Sequence, residues 1–536
     1  MDIIAKRIIT SDISRTFYEF LMIPGLTRKK HTAENVSLRT PLARFQVKNH
    51  DPVKGIHYNE WESGSRFYLN IPFTSAVMQA VSGPELGITL AQQGGLSFIY
   101  QSQSIDSQAA MVSRVKRDRA GFIESDANLP PNVTLEDAIK LTEKTGHSTI
   151  AVTENGTAHG KLLGILTDRD YFRGVHPLEM KVKKLMTPVV TSDTSRRTLI
   201  YHEGDISLDE ATRKIARMKI SCLPVLGKDG NLQSMIFRKD VMEAIQNKGQ
   251  LLDEEQRRMI GAGINTRDYK ERVPALLNAG VDVLCFDSSD GYNEWQGDAI
   301  RKLRKEYGNE IILGGGNVVS RDGFNYLARA GVDFIKIGIG GGSICITREQ
   351  KGIGLGQASA VIDVVKARDD YFKKTGVYIP TCSDGGITSD SQMSLALAFG
   401  ADFLMMGRYF AGCKESPPPI RSIKMGKFKP YWGEGTDRAQ NWQRYEGEGK
   451  LSFEEGVDGF VPLVGELKDV VNNSLDKIRA SMCNLGSLSL YDLNRKAVLK
   501  AVSQATLVEN APHDILGAGD LARLDSIAAN YGKTQW

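Results

Sequence analysis

Short hydrophobic runs that end in Gly, Ser, Asp or Asn recur along the chain, and each predicts a buried strand. Eight of them lie at residues 69–75, 96–100, 259–264, 281–287, 311–316, 332–338, 378–383 and 403–407. Helix-like stretches separate most of them, at residues 268–279, 294–307, 320–330, 357–375 and 389–399. Strands that alternate with helices form parallel sheets, and near-continuous hydrophobic strands are buried on both faces. Eight such units predict an α/β fold, a (β/α)8 barrel.

Polar and glycine-rich segments follow these predicted strands. They read SAVMQ (75–79), INTRD (264–268), DSSDG (287–291), GGGN (314–317), GIGGGSIC (338–345), SDGG (383–386) and GRYF (407–410). In a (β/α)8 barrel the loops at the carboxyl ends of the strands build the active site. We therefore expect the chemistry of this chain at that end of the barrel.

About 160 residues separate the second and third strands, far more than a connection inside a barrel needs. Within this insertion LLGILTDRDYF (162–172) is echoed by LQSMIFRKDVM (232–242), and an apolar strand precedes each, from residues 149 and 222. Helices repeat at 135–145 and 208–219. The pattern predicts a duplicated unit of roughly 60 residues. The predicted domains are a first barrel part (1–121), the insertion (122–247) and a second barrel part (248–536).

Another long stretch, residues 408–461, follows the last strand and shows no regular alternation. Stretches of this length within compact domains are usually functional lids or disordered. Its aromatic segments, at residues 431–435 and 442–445, argue against plain disorder. We expect an irregular, mobile flap.

Composition limits the classes of function. The 536 residues are 41% hydrophobic and carry 68 basic and 64 acidic side chains, a balance that disfavours a nucleic-acid or membrane surface. No run approaches the roughly 18 apolar residues of a membrane helix, and the amino terminus lacks a secretory pattern, so we expect a cytoplasmic protein. The six cysteines show no C-x-x-C spacing, which predicts reduced thiols instead of a zinc site or disulfides.

The segment GGGSICITR (340–348) is the most informative candidate site. Glycines let the backbone approach a ligand, and Cys345 presents a thiol beside them, although an ordinary turn with a cysteine nearby is the alternative. Loops after the seventh and eighth barrel strands often bind phosphate, and Ser343 and Arg408 could complete such a site. Asp384 can accept two hydrogen bonds from a ribose diol, or alternatively cap the next helix. The pattern predicts a phosphorylated substrate.

Six motifs are far more specific together than any one alone. They are GGGSICITR (340–348), SDGGI (383–387), DSSDG (287–291), YWGEG (431–435), NWQRY (441–445) and FEEGVDG (453–459). Together they resemble the inosine-5′-monophosphate (IMP) dehydrogenase family, over essentially residues 16–514. The resemblance implies oxidation of IMP to xanthosine 5′-monophosphate (XMP) with NAD, the committed step of guanine nucleotide synthesis.

The resemblance assigns roles to five catalytic residues. It implies that Cys345 attacks C2 of the hypoxanthine ring, that hydride leaves to NAD, and that water hydrolyses the remaining thioimidate. The flap residues Arg444 and Tyr445 are implied to enter the site for hydrolysis, with Arg444 as the main base. A second route to the base is Thr347, activated by Glu455.

The substrate site implied by the resemblance combines phosphate, ribose and purine contacts. Asp384 would hold the ribose, Met78 would pack on the base, and the segment 433–435 would contact the purine edge. The family usually has a hydroxyl residue two places before this methionine, where the present chain has Ala76. The ten implied residues are Met78, Ser343, Asp384, Gly386, Gly407, Arg408, Tyr431, Gly433, Glu434 and Gly435.

The implied NAD site is not a Rossmann turn, since the glycines at 352, 354 and 356 lack the required spacing. Asp287 would hold a ribose diol of the cofactor. Arg267 and Trp295 offer flat surfaces for adenine, although a tryptophan at helical spacing is often packing. The eight expected residues are Asp287, Ser288, Ser289, Asn317, Gly338, Gly340, Arg267 and Trp295.

The resemblance also implies a monovalent cation, usually K⁺, bound by backbone carbonyls, and a homotetramer. The expected ligands are Gly340, Gly342 and Cys345, joined from a neighbouring subunit by Glu509, Asn510 and Ala511. The duplicated insertion resembles a tandem pair of cystathionine-β-synthase (CBS) modules. Such pairs commonly bind adenine or guanine nucleotides in a regulatory role, but an insertion that has lost its ligand is equally compatible with the sequence.

Two other functions compete with IMP oxidation. One is GMP reductase, which has a similar barrel and cysteine but deaminates GMP with NADPH and needs no flap base. The pair Arg444 and Tyr445 favours the dehydrogenase. The other is a nucleotide-sensing regulator whose barrel is inactive. An inactive barrel would have no reason to keep all five of the residues Cys345, Thr347, Asp384, Arg444 and Glu455.

Overall fold

The computed structural model describes residues 13–53, 55–246, 249–424, 426–440 and 451–510. Within them eight parallel strands form the central sheet, one for each predicted strand. We number them along the chain as β1 (Phe73–Ser75), β2 (Phe98–Ile99), β3 (Gly261–Ile264), β4 (Val283–Phe286), β5 (Ile312–Val318), β6 (Phe334–Ile337), β7 (Thr381–Asp384) and β8 (Phe403–Met406).

This sheet closes on itself almost completely. Neighbouring strands run in the order β1, β8, β7, β6, β5, β4, β3, β2. Strand β1 then meets the chain just ahead of β2 through a parallel bridge between Thr74 and Leu96. The amide of Ser75 donates to the carbonyl of Leu96 at 3.1 Å. The eight strands therefore form a nearly closed parallel barrel, consistent with the (β/α)8 prediction.

The first barrel strand is shorter than predicted. Residues Tyr68–Leu69 form a separate strand outside the barrel. The amides of Asn70 and Ile71 both donate to the carbonyl of Gly94, at 3.0 and 3.2 Å, and Pro72 has no amide hydrogen to offer a neighbouring strand. The chain therefore bends at residues 70–72 before it enters the barrel.

Helices connect the barrel strands as predicted. Side-chain caps begin several of them: Asn293 accepts a hydrogen bond from the amide of Gln296, and Ser320 accepts one from Gly323. The helices of the barrel are Pro84–Gln92, Ile105–Arg117, Tyr269–Asn278, Glu294–Tyr307, Arg321–Ala330, Thr347–Lys351, Gln357–Thr375, Asp390–Ala398 and Arg408–Ala411.

Aromatic rings fill the interior of the barrel. The ring centroid of Phe334 lies 6.2 Å from that of Phe98 and 5.6 Å from that of Phe403. Gly314 makes room for Phe334, because a Cβ there would lie 2.1 Å from the ring. A filled interior leaves the loops at the strand ends as the place for a site.

The insertion contains two similar units. The first has strands Asn128–Leu129, Thr149–Thr153, Leu162–Thr167 and Thr187–Pro188 with helices Leu135–Thr145 and Val182–Leu185, and the second has strands His202–Glu203, Cys222–Leu226 and Leu232–Phe237 with helices Leu208–Met218 and Arg238–Gln246. The units contact each other reciprocally: the amide of Leu162 donates to Gly230, and the amide of Leu232 donates to Gly160, both at 3.1 Å. The duplicated pattern in the sequence is therefore a duplicated structure.

The two units differ after their second long strand. In the second unit, helix Arg238–Gln246 follows directly. In the first, the Asp170 carboxylate accepts hydrogen bonds from the amide and hydroxyl of Thr167, at 2.7 and 2.9 Å, and closes a turn. The echo between the two sequences is loose at this point because the structures diverge there.

The segment 408–461 contains an antiparallel sheet, so the prediction of an irregular stretch is wrong for its described residues. The strands are Arg421–Ile423, Gly426–Trp432 and Asp458–Pro462. Gly426 and Pro430 hide the middle strand in the sequence, since both are unusual in strands. Residues 441–450, which include the NWQRY motif, lie outside the described residues.

The remaining elements pack around the barrel. Strand Phe20–Ile23 pairs with Val498–Ala501, Phe45–Gln46 pairs with Val377–Tyr378, and Thr40–Pro41 pairs with Tyr68–Leu69. The other helices are Tyr58–Ser63, Leu467–Asn484, Leu490–Lys496 and Gln504–Glu509, with 3-10 turns at Phe17–Glu19, Ala33–Asn35 and Asp437–Ala439. Across the described parts of the chain, no helix is long and apolar enough to cross a membrane.

Candidate active site

Cys345 lies in the loop between β6 and helix Thr347–Lys351 and begins a short line of polar side chains. Its Sγ is 3.2 Å from the hydroxyl of Thr347, and that hydroxyl donates to Oε2 of Glu455 at 3.1 Å. The ammonium of Lys351 forms an ion pair with the other oxygen of this carboxylate. Thr347 is 2% exposed and Glu455 is 3% exposed. A thiol, a hydroxyl and a carboxylate are thus held in contact, and the hydroxyl and the carboxylate are shielded from water.

Backbone hydrogen bonds hold the segment around Glu455 against the cysteine loop. The amide of Ile346 donates to the carbonyl of Glu455, and the amide of Val457 donates to that of Ile344, both at 3.0 Å. Gly456 lies opposite Cys345, and a Cβ at Gly456 would come within 3.2 Å of the backbone of Gly433. The contact between the two segments is therefore close at the backbone level.

Burial separates Cys345 from most of the other cysteines. Cys222, Cys285, Cys382 and Cys413 are buried, and burial raises the pKa of each thiol, for Cys285 to about 12. Cys345 is partly exposed. Since a thiolate is the nucleophile of cysteine chemistry, the four buried thiols are unsuited to it.

A cavity of about 180 Å³ opens beside Cys345. It brings together every residue expected to bind the substrate. The cavity is lined by Met78, Ser343, Asp384, Gly386, Gly407, Arg408, Tyr431, Gly433, Glu434 and Gly435, together with Cys345 and Glu455. The placement is the one that the sequence predicts, while the individual binding roles stay predictions.

Two loops meet at the floor of this cavity. The amide of Gly386 donates to the carbonyl of Gly341 at 2.9 Å. Gly385 and Gly386 have φ angles of +89° and +72°, a region that strongly favours glycine. The SDGG motif thus lets the loop after β7 turn sharply against the cysteine loop.

A buried lysine links the two carboxylates expected to bind ribose diols. The ammonium of Lys336, within β6, lies 2.5 Å from Oδ1 of Asp287 and 3.2 Å from Oδ2 of Asp384. The side-chain amide of Asn317 also donates to Oδ2 of Asp384, at 3.0 Å. Burial opposes the charge on Lys336, but the two carboxylates outweigh it and hold the pKa of this lysine well above its ordinary value. Sequence analysis missed Lys336, although a lysine inside the apolar strand FIKI is a visible signal.

The purine-edge residue Glu434 is held by two residues that sequence analysis also missed. Its carboxylate accepts a hydrogen bond from the amide of Gln79 at 2.7 Å and another from the hydroxyl of Ser102. The side chain of Gln79 donates to the carbonyl of Ala439 and accepts from the indole of Trp432, at 2.7 and 3.2 Å. Gln79 therefore ties the loop after β1 to the segment after β8, a contact with no local sequence signal.

The expected phosphate end of the cavity is formed by the turn after β8. A Cβ at Gly407 would lie 2.7 Å from the hydroxyl of Tyr431, so glycine is needed for this approach. Tyr431 is buried, and burial raises its pKa. Ala76 lines the cavity and has no hydroxyl to offer a substrate. The hydroxyl of the neighbouring Ser75 does not replace it, because that hydroxyl is bonded to Ser82 and Ser97, at 2.6 and 2.7 Å.

A second, larger cleft of about 570 Å³ adjoins the first. Arg267 and Trp295 lie exposed at its surface, with Trp295 75% exposed, so that residue is not packing within this chain. All residues expected to bind the cofactor line the cleft, namely Asp287, Ser288, Ser289, Asn317, Gly338, Gly340, Arg267 and Trp295. The two cavities share Asp287, Gly342, Cys345, Asp384, Gly385 and Glu434.

The remaining predicted residues are distributed differently. Arg444, Tyr445 and Ala511 lie outside the described residues. Glu509 ends the helix Gln504–Glu509, and Asn510 follows it, where its amide donates to Thr506 at 3.1 Å. In the cysteine loop, Gly340 has a φ of +74° and the carbonyl of Gly342 accepts from the amide of Cys345 at 3.2 Å.

Eight parallel strands that present a partly exposed cysteine between two adjoining cavities define a barrel enzyme built around a thiol. The relationship to known proteins is more specific. The chain belongs to the IMP dehydrogenase / GMP reductase family, whose domain model matches residues 14–513. The family resemblance drawn from the six motifs is thereby confirmed.

Relatives and solved structures agree on this family. An inosine-5′-monophosphate dehydrogenase of Tritrichomonas foetus is 50% identical over 503 residues, which are 94% of this chain and 96% of that protein. The enzyme of the same name from Escherichia coli K12 is 34% identical over 83% of this chain and 89% of its own length. A crystal structure of a cysteine-to-alanine variant of GMP reductase from Trypanosoma brucei, in complex with guanosine 5′-monophosphate, matches with a TM-score of 0.74 and 27% identity, over 95% of this chain and 99% of that one.

Proposed function

We propose that this chain oxidises IMP to XMP with NAD as the hydride acceptor. The observation that carries the proposal is the position of Cys345, which lines both cavities and contacts Thr347. A nucleophile between two adjoining cavities suits a reaction in which one ligand is bound covalently and a second removes hydride from it. The identity of 50% to an IMP dehydrogenase supports the same assignment.

The reaction proceeds in two stages. In the first, the thiolate of Cys345 forms a bond to C2 of IMP, and the C2–H bond breaks with its electron pair leaving as hydride to NAD. A thioimidate then joins Cys345 to the purine. In the second, water adds to C2, loses a proton to a base, and expels the thiolate to give XMP. The reacting carbon lies between the cavities because Cys345 belongs to both.

NAD fits the chemistry of the larger cleft. Asp287 is paired with Lys336, and its carboxylate can accept hydrogen bonds from a ribose diol. Exposed Arg267 and Trp295 offer surfaces on which adenine can stack. When bound there, NAD supplies the hydride acceptor. The residues of the cleft bind and orient it beside Cys345.

Two bases are available for the hydrolytic stage. Arg444, assisted by Tyr445, is the main base proposed from the sequence, on the resemblance to the family. Thr347 is the second, and its hydroxyl contacts both Cys345 and Glu455 at 3.2 and 3.1 Å. Because Thr347 already donates to a buried carboxylate, that carboxylate can take up the proton that the hydroxyl relays from water.

Replacement of Arg444 with Ala tests the first base. Hydride transfer should survive as a rapid NADH burst in a stopped-flow experiment, while steady turnover falls by orders of magnitude. Loss of the burst itself would show that Arg444 serves the first stage and would overturn its role as the base.

The decisive experiment for the function is an absorbance assay of the purified chain. IMP and NAD should generate NADH, and Cys345→Ala should abolish the signal while NAD and IMP still bind. The structural match to a GMP reductase supplies the competing function. Consumption of NADPH with GMP, and no NADH from IMP, would establish that activity instead. Silence in both assays, with nucleotide binding intact, would favour a regulator whose barrel is inactive.

Three further properties belong to this proposal. The carbonyls of Gly340, Gly342 and Cys345 are proposed to bind K⁺ together with Glu509, Asn510 and Ala511 of a neighbouring subunit in a homotetramer. Gly340 and Gly342 are not buried, and carbonyl oxygens are suitable ligands for such a cation. The paired units of the insertion are proposed to be CBS modules that bind adenine or guanine nucleotides.

A further inference from the structure

Lys429 carries a buried ammonium group that the reaction does not use. The residue lies in strand Gly426–Trp432 and is 1% exposed. Its ammonium donates to the carbonyls of Cys413, Lys414 and Ser416, at 3.0, 2.8 and 2.6 Å. An ammonium has three donors, so these three bonds satisfy it fully. A single side chain thus fixes three closely spaced residues of the loop that follows β8.

The same strand reaches the start of that loop through Tyr431. Residues two apart on a strand point to the same face, so Lys429 and Tyr431 lie side by side. The Tyr431 hydroxyl closes on Gly407, where an added Cβ would be only 2.7 Å away. The short helix Arg408–Ala411 therefore lies between two contacts from one strand, with Tyr431 at its beginning and Lys429 just beyond its end.

The loop bound by Lys429 is also held by contacts of its own residues Glu415 and Ser416. The Ser416 hydroxyl lies within hydrogen-bond distance of the carbonyls of Ala411 and Cys413, at 2.9 and 3.0 Å, and its single hydrogen is directed at this pair. The Glu415 carboxylate accepts from the amide of Leu467 at 3.0 Å, where helix Leu467–Asn484 begins. These contacts hold the loop together and tie it to the start of the helix. Lys429 then fixes the position of the loop relative to the strand that leads to the purine-edge residues 433–435.

We propose that Lys429 is a positioning residue for the nucleotide phosphate. It holds the turn that carries Gly407 and Arg408 at a set distance from Tyr431 and from the purine-edge residues that directly follow the same strand. This inference rests on the proposed function only for the identity of the nucleotide, because any purine monophosphate bound in this cavity would need the same spacing. Small displacements of binding groups reduce affinity strongly, so a side chain that fixes this spacing should strengthen binding of the phosphate.

The main test replaces Lys429 with Met, which keeps the length of the side chain and removes all three donors. The KM for IMP should rise by about tenfold or more, while kcat changes less than threefold, because the cysteine and its partners are untouched. Lys427→Met is the matched control, since Lys427 lies on the same strand with an exposed side chain. It should leave both constants unchanged.

Direct binding separates this inference from the proposed reaction. Isothermal titration with IMP and with inosine needs no turnover. Lys429→Met should weaken IMP at least tenfold and inosine less than twofold, because inosine has no phosphate. Equal weakening of both ligands would overturn the proposal. Failure of the wild-type chain to bind any nucleotide would instead refute the proposed function.

The pH dependence of the KM for IMP also tests the role of Lys429, because a lysine with a purely structural role would not change it. Burial lowers the pKa of Lys429 to about 8. Above that pH the neutral amine keeps two donors for three carbonyls, so the KM for IMP should rise as pH increases through 8 in the wild type and stay flat in Lys429→Met. The nearby titratable or charged groups are Cys413, whose pKa burial raises to about 12, Lys414, Glu415, Arg421 and Asp458. An equal rise in both proteins would assign the titration to another group and count against the proposal.

A second variant protects the test if Lys429→Met does not fold. Ser416→Ala removes the hydroxyl that contacts the carbonyls of Ala411 and Cys413 but leaves the buried ammonium in place. It should raise the KM for IMP several-fold in the same direction, with inosine affinity unchanged. If Ser416→Ala folds and binds IMP as the wild type does, the loop is not a positioning device and the proposal fails.

Discussion

Thr347 and Glu455 illustrate how much of this site depends on single contacts. They are 108 residues apart in the chain and are joined by one hydrogen bond of 3.1 Å. Both side chains are buried, so water does not compete for that bond. The hydroxyl of Thr347 faces the sulfur of Cys345 on its other side. In the proposed reaction, a proton lost by the attacking water would therefore pass from the Thr347 hydroxyl to the Glu455 carboxylate.

Replacement of Glu455 with Gln tests this path. We expect hydride transfer to persist and hydrolysis to slow by about tenfold to a hundredfold, since general base assistance is worth that much or more. The ion pair between Lys351 and this carboxylate is lost, but Lys351 is partly exposed and can be hydrated, so the fold should survive. Stopped-flow bursts and steady-state rates measure the two stages separately.

The neighbouring carboxylate provides the control for that substitution. Glu454 is exposed and accepts a hydrogen bond from the amide of Asp437 at 2.9 Å. Glu454→Gln should leave both stages at the wild-type rate. A loss of the burst in Glu455→Gln would mean that the carboxylate serves formation of the covalent intermediate, contrary to the proposed path.

At the scale of elements, the site depends on two loops that touch through their backbones. The loop after β6 and the loop after β7 are joined by the amide of Gly386 and the carbonyl of Gly341 at 2.9 Å. Gly385 allows this approach with a φ of +89°, and a Cβ there would lie 3.3 Å from the carbonyl carbon of Gly341. The SDGG motif is therefore a packing requirement between loops as well as a source of binding groups.

Replacement of Gly385 with Ala should weaken the site more than the fold. The left-handed backbone costs a residue with a side chain about 1–2 kcal/mol, and the added methyl must also push the cysteine loop away. We expect the free energy of unfolding, measured by urea denaturation, to fall by about 1–2 kcal/mol. We expect kcat/KM for IMP to fall by at least tenfold.

Gly146 is the matched position for this comparison. Its φ is +74°, and nothing lies within 4 Å of an added Cβ. Gly146→Ala should lower stability by about the same 1–2 kcal/mol without any change in kcat/KM. If Gly385→Ala retained full activity, the contact between the two loops would not be needed for catalysis.

At the scale of the whole molecule, the two active-site cavities are built by the barrel and by the segments that follow its strands, without the insertion. None of the residues that line the two active-site cavities belongs to residues 122–247. The chain leaves and re-enters the barrel at adjacent points: Arg119 is bridged to Arg257, and the amide of Ala120 donates to Gln256 at 3.0 Å. The barrel is thus closed beneath the insertion by its own backbone pairing.

Deletion of residues 122–247, with a short Gly-Ser linker in their place, should leave IMP oxidation within a few-fold of the full chain. Arg119 and Ala120, just before the deleted residues, already pair with Arg257 and Gln256 shortly after them, so the loop closure is inexpensive. Steady-state assays on both proteins measure the effect, and adenine or guanine nucleotides should change the rate of the full chain only. Inactivity of a folded deletion variant would show that the insertion completes the catalytic site.

The sequence predicted most elements of the barrel because hydrophobic periodicity is a local property. Helices Glu294–Tyr307 and Gln357–Thr375 have the predicted bounds, and every predicted barrel strand has a counterpart. Prediction failed where local signals are weak or conflict. Pro72 shortened the first strand, and Pro430 concealed a strand in the segment after β8. Such residues change backbone hydrogen bonding without altering hydrophobicity.

The sequence by itself determined the family and indicated Cys345 as the candidate nucleophile, because six motifs keep their residues adjacent in the chain. Only the tertiary structure decided what holds those residues in place. Lys336 between Asp287 and Asp384, and Lys429 beneath the turn after β8, satisfy groups that lie on different elements. Their positions follow from distances that are set when the barrel closes, and no local periodicity encodes such distances.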